Sequence, residues 1–183
     1  MKGVVFAQFL DMVEARFGLE VVDRMLLAAA PASGGAYTAI GTYDWRELVA
    51  LVGELSREVG TPVPALLHAY GRHLFSVFVR AYPQFFAGAS TAPEFLGRVE
   101  GFIHPEVHKL YPDAELPHFV TCATEDGLTM QYRSQRPFAD FARGLIEGCL
   151  AHFRTDAEVA MESHRNGAVF HIRLRGAAPC PAR

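Results

Sequence analysis

Tyr132-Arg133-Ser134-Gln135-Arg136 places three hydrogen-bonding side chains at alternate positions, 28 residues after His104. If residues 130–136 form a strand, Tyr132, Ser134 and Arg136 leave it on one face, because side chains alternate across a strand with period two. A phenol, a hydroxyl and a guanidinium fork in a row suit a carboxylate, which arginine grips with paired N–H donors. His104 contributes an imidazole, the commonest metal-ligating side chain. Carboxylates held at one end and a nitrogen donor offered at the other describe the needs of haem. Without His104 the row would read as an ordinary solvent-facing sheet surface, and the chain has eight histidines from which a ligand could be drawn.

The elements that must position these residues are legible from periodicity. Val5, Phe9, Met12, Val13 and Phe17 recur at helical spacing over residues 2–17, up to Gly18. A short helix over about 20–29 runs into the flexible Pro31–Gly35 loop, and Asp44 is placed to cap a helix reaching Val59, stopped by Gly60-Thr61-Pro62. A long apolar helix from Pro64 to about Arg80 ends at Tyr82-Pro83. Another, about 92–110, carries His104 and stops at Tyr111-Pro112. Within it Pro105 clashes with the carbonyl of Gly101, predicting a kink beside His104. After Pro117 the pattern changes to short alternating runs, 118–124 and 128–134, joined at Glu125-Asp126-Gly127. A helix over about 138–153 and strands over about 157–165 and 168–175, joined at Asn166-Gly167, complete the chain. Arg136 precedes Pro137, where a strand must end.

This is an α+β chain: a helical N-terminal part packed on a C-terminal part with a four-stranded antiparallel sheet and helices. Its 183 residues fit a single domain over 1–176, with a helical subdomain at about 1–62, a second subdomain at about 63–176, and a flexible tail at 177–183. Half the residues are apolar, and 14 are Phe, leaving room for an apolar ligand chamber. A net charge of −3 and dispersed arginines lack the basic stripe that nucleic acid requires. Cys122, Cys149 and Cys180 match neither a disulfide framework nor a Cys-x-x-Cys attachment motif. Gln8, Asp11, Glu14 and Arg16 interrupt the only stretch that could imitate a signal peptide, and no segment reaches the ~20 apolar residues of a membrane span. A cytoplasmic location and no membrane partner are expected.

The Tyr-x-Ser-x-Arg row resembles the propionate-binding signature of the haem nitric-oxide/oxygen binding (H-NOX) domains, the sensor family that includes the haem domain of soluble guanylate cyclase. The likeness extends through Met1-Lys2-Gly3, Gly71-Arg72, Ala81-Tyr82-Pro83-Gln84-Phe85-Phe86-Ala87-Gly88, the His104 to Pro117 segment and Gly144-Leu145-Ile146-Glu147-Gly148. It implies non-covalent haem b between the two subdomains, His104 as the axial iron ligand, and Tyr132, Ser134 and Arg136 as the propionate contacts. Pro117 stands where the family packs a proline on the porphyrin plane. Members that bind O2 carry a distal tyrosine where this chain has Phe141, and a supporting tryptophan and asparagine where it has Phe9 and Leu74. The implied distal wall is Val5, Phe9, Leu74, Phe78, Phe141 and Leu145, all of which also suit a generic core.

The resemblance therefore implies a cytosolic sensor that takes NO and CO as gaseous ligands and disfavours O2, since bound O2 gains negative charge and needs a donor. Output would pass to a separate protein, for which a histidine kinase or a cyclic-di-GMP enzyme is implied. Two readings compete. A haem or zinc enzyme could use His104 and His108, although Pro105 occupies the place of the glutamate in a His-Glu-x-x-His site. A haem-free interaction module could retain the fold alone.

Overall fold

The computed structural model describes residues 1–175; the expected tail at 177–183, with Cys180, lies outside them. Among the described residues are seven α-helices and one sheet. Helices α1 (Gly3–Phe17) and α2 (Leu19–Ala29) meet at Gly18, whose φ of +89° a side chain would resist. Helix α3 (Trp45–Val59) begins as its sequence predicts, with the Asp44 carboxylate accepting the Arg46 N–H at 2.9 Å. Helix α4 (Val63–Ala81) is the longest, and a 3₁₀ turn at Pro83–Phe85 follows it.

The expected helix over 92–110 is three pieces. Helix α5 (Ala92–Gly97) leads into a widened π turn at Val99–Ile103, and α6 (His104–Leu110) starts at the histidine itself. Pro105 sits in the first turn of α6, where its missing N–H costs nothing. In the widened turn the Ile103 N–H reaches back five residues to Arg98 O at 3.1 Å. The predicted kink is thus a helix restart that sets the direction of the His104 side chain.

Strands β1 (His118–Thr124), β2 (Gly127–Arg133), β3 (Ala157–His164) and β4 (Gly167–Leu174) form an antiparallel sheet in the order β1-β2-β4-β3. Helix α7 (Ala139–His152) connects β2 to β3. Leu128, Met130 and Tyr132 of β2 and Ala168, Phe170 and Ile172 of β4 alternate inward and bury against Ala142, Ile146, Cys149 and Leu150 of α7 and Phe95 and Leu96 of α5. A second cluster joins α1, α3 and α4 through Phe6, Phe9, Leu48, Leu51, Tyr70 and Leu74.

Two glycines decide how α4 meets α7. A Cβ on Gly71 would lie 2.2 Å from the Phe141 carbonyl oxygen, and one on Gly144 would lie 2.1 Å from that of His68. The backbones touch there because neither residue has a side chain. This close crossing brings Leu74 and Tyr70 of α4 beside Phe141 and Leu145 of α7 in one apolar cluster. Glu147 adds a polar tie across it, 2.9 Å from His68 Nε2, and within α7 accepts from Arg143 Nε at 3.0 Å.

Candidate functional site

His104 is mostly enclosed, with a side chain 14% exposed. Its Nδ1 lies 3.2 Å from Glu100 Oε2, one turn back on the π segment. The same carboxylate accepts the Phe119 N–H at 3.0 Å and faces His118 Nδ1 at 2.5 Å. Glu100 therefore ties the histidine to the first two residues of β1. Burial opposes ionisation of Glu100, yet the Phe119 N–H and the His104 and His118 rings outweigh it and hold the carboxyl below its ordinary range. Burial pushes the His104 imidazole toward its neutral form, against the pull of Glu100. A neutral ring donating from Nδ1 keeps the Nε2 lone pair free for a metal.

From His104 an aromatic chain leads into the sheet. The His104 and Phe119 rings are 5.9 Å apart, Phe119 and Tyr132 5.4 Å, and Tyr132 and Phe170 6.2 Å. Tyr132 is only 3% exposed, and burial raises its phenol's pKa against the opposing influence of Ser134 and Arg136. The three residues of the motif are brought together, but not by strand alternation over 130–136. Strand β2 ends at Arg133. Ser134 Oγ then accepts the Arg136 N–H at 3.0 Å, closing a side-chain turn ahead of Pro137. A proline with no N–H and a serine that captures the backbone locally explain why the strand stops early.

The Arg136 side chain is 15% exposed and its guanidinium already holds a carboxylate, that of Glu115, while also donating to the Glu115 main-chain oxygen at 3.3 Å. Glu115 is itself largely exposed, so a surface acid satisfies a fork placed in a half-buried position. Pro117 is half-buried in the connection between α6 and β1, immediately before His118. That connection is anchored to the N-terminal segment. Lys2 Nζ donates to Asp113 Oδ1 at 3.0 Å and to Thr42 Oγ1 at 2.8 Å, and Thr42 donates to Asp113 at 2.5 Å. Hydrogen bonds from Thr42 and Lys2 hold the Asp113 carboxyl down to about 2.

The expected distal residues also gather. Phe9 and Leu74 are fully buried, and Val5, Phe78, Phe141 and Leu145 pack against the same cluster. At its centre stands Tyr70, which the sequence reading missed. Its ring lies 5.2 Å from that of Phe9 and 5.1 Å from that of Phe141. Its hydroxyl donates to the Val5 carbonyl oxygen, and burial raises its pKa well above the ordinary phenol value. A tyrosine one turn before Leu74, on the same helix face, was the available signal. Glu100, one turn before His104, was a second signal of the same kind.

His108 is exposed on α6. No group of three or more His, Cys, Asp or Glu side chains among the described residues is arranged to hold a metal ion, so the zinc reading lacks a ligand set. The donor set that is present does fit haem: an imidazole with one nitrogen occupied by a carboxylate, a phenol and guanidinium able to receive acidic groups, and an apolar wall. No helix among the described residues is long and apolar enough to cross a membrane.

Comparison with known proteins agrees with this chemistry. Residues 2–161 match the model of the haem-NO-binding family. An H-NOX protein from K. algicida, solved as Fe(II) unliganded, is 40% identical, with a TM-score of 0.91 over 96% of this chain and 97% of that one. One from Shewanella woodyi in the Fe(II)CO state is 32% identical, with a TM-score of 0.83 over 100% of this chain and 99% of that one. A third, from S. oneidensis in the Fe(II)NO state, shares the fold at 24% identity, with a TM-score of 0.89 over 96% of this chain and 100% of that one. No curated protein matches. The chain belongs to the haem-NO-binding, or H-NOX, family of haem-binding gas-sensor domains.

Proposed function

We propose that this protein senses NO through haem b ligated by His104, binds CO as well, and discriminates against O2. Bound haem would supply a gas-binding iron, which His104 would hold. Tyr132, Ser134 and Arg136 serve as the propionate contacts, with Arg136 exchanging the Glu115 carboxylate for one from the ligand. Pro117, half-buried just ahead of β1, would lie against the bound haem. Val5, Phe9, Leu74, Phe78, Phe141 and Leu145 form the distal wall.

The observation that carries the ligand preference is the state of Tyr70. Its ring packs on both Phe9 and Phe141 of the expected wall, and its proton is committed to the Val5 carbonyl. Phe141 stands where a donor would be needed and supplies none. A wall that offers no hydrogen bond leaves a charge-accumulating ligand such as O2 unsupported, whereas NO needs little such help.

Signalling follows from attachment. His104 opens α6 immediately after a widened turn, and the far end of α6 leads into the segment tethered by Lys2 and Thr42. A change in the hold on His104 therefore shifts α6 relative to both the sheet and the N-terminal helices. The protein acts as a cytoplasmic sensor rather than a catalyst and passes its state to a separate effector, a histidine kinase or a cyclic-di-GMP enzyme.

Absorption spectra of the purified ferrous protein under NO, CO and air test the proposal. A Soret band that responds to NO and CO but forms no lasting complex in air is expected. An air-stable oxygen complex of the unmodified protein would overturn the ligand preference, and a protein that takes up no haem would overturn the whole reading.

A further inference from the structure

The role of Glu100 goes beyond the ligand set. It is the acceptor for His104 Nδ1 at 3.2 Å, and it cannot swing away freely, because its two oxygens also engage the Phe119 N–H and the His118 ring. We propose that Glu100 is a positioning residue for the axial imidazole: by taking the Nδ1–H it selects the tautomer with Nε2 free, and its negative charge makes that nitrogen a stronger donor. This inference rests on the haem reading above.

Three features of the site support the role. A metal-binding histidine whose second nitrogen donates to a carboxylate is held in orientation and made more basic than one donating to water. The acceptor here comes from the π turn directly preceding the histidine, so the restart of the helix at His104 is what aims the ring at it. Finally, the carboxylate is shared with the first two residues of β1, so the imidazole stays attached to the sheet through Glu100 even when its other nitrogen is released. Glu100 thus both strengthens the hold on the ligand and carries any movement of His104 into β1.

Resonance Raman spectra of the haem-loaded, full-length ferrous protein read the iron–histidine stretch directly. Glu100→Gln keeps shape and an acceptor oxygen but removes the charge, and Glu100→Ala removes the acceptor. The stretch is expected to fall in the first and further in the second. The equilibrium for detaching His104 under NO is expected to shift toward release by roughly 10- to 100-fold. A stretch present in the parent and unmoved in both variants overturns the role of Glu100 alone; a parent with no such stretch overturns the haem reading itself.

A second measurement tests the same contact from the side of the imidazole. His104→Gly leaves a place for added imidazole or 1-methylimidazole, which differ in having or lacking the N–H that Glu100 would accept. Imidazole should bind roughly tenfold more tightly. Equal affinities, or a preference that persists when Glu100→Ala is added, would refute the proposal.

Discussion

The region around His104 and the region around Phe141 are built on opposite principles. On the His104 side the carboxylates are shared: Glu100 serves His104, His118 and Phe119, and beyond α6 Asp113 serves Lys2 and Thr42. Around Phe141 the packing is aromatic and aliphatic, and the phenol that packs beside it, Tyr70, is turned onto the backbone of α1. The His104 side is a network in which moving one group moves several. The Phe141 side is a packed apolar surface which, on the function proposed above, would select by withholding donors. A sensor needs both, since selection without connection gives no output.

The contrast can be broken most completely at His104. His104→Ala is expected to abolish axial ligation and to recover it with added imidazole; an unchanged ferrous absorption spectrum would remove the histidine from the site. Arg136→Ala should be next, weakening haem retention by about 1.5 to 3 kcal/mol through loss of a charge-assisted hydrogen bond. Haem transfer to an acceptor protein at the parent's rate would argue against that contact.

On the distal side, Phe141→Tyr is expected to raise O2 affinity by the worth of one new hydrogen bond, about 0.5 to 1.5 kcal/mol, read from the oxygen dissociation rate. Tyr70→Phe should leave O2 affinity unchanged, because the phenol it removes is already engaged by Val5. A large O2 effect from Tyr70→Phe would show that this hydroxyl serves the ligand instead.

The smallest effect is expected at the Lys2–Asp113 tether, whose carboxylate is exposed. Its folded-state value of about 2 lies below the unperturbed 3.8, so its contribution to stability is full above that range and is lost as pH falls through about 2. Asp113→Asn should therefore melt at a slightly lower temperature than the parent near neutral pH, and the two melting curves should converge in acid. A gap that stays constant with pH would place the effect elsewhere.

Most elements were legible because their signals are local. The Asp44 cap, the Gly18 and Gly60 stops, the Asn166-Gly167 hairpin and the alternation in β2 and β4 depend on a few neighbouring residues. The strand expected over 128–134 is found at Gly127–Arg133, but the condition that alternation continue to 136 is not met, because the Ser134 hydroxyl captures the backbone beyond the strand end. The sequence pattern also suggested one helix over 92–110, since periodicity alone does not distinguish a continuous helix from one widened by a turn.

By itself the chain determined its elements, its apolar stripes and the motif that marks its family, all of which follow from backbone preferences acting over a few residues. Only tertiary packing decided that Tyr70 spends its proton on a carbonyl 65 residues away, that Glu100 joins His104 to β1, and that Lys2 reaches Asp113 across 111 residues. Those pairings have no periodicity to betray them. Chain-distant partners meet only once the elements are packed, some in the dry interior, as Tyr70 and Val5 do, and some at the surface, as Lys2 and Asp113 do.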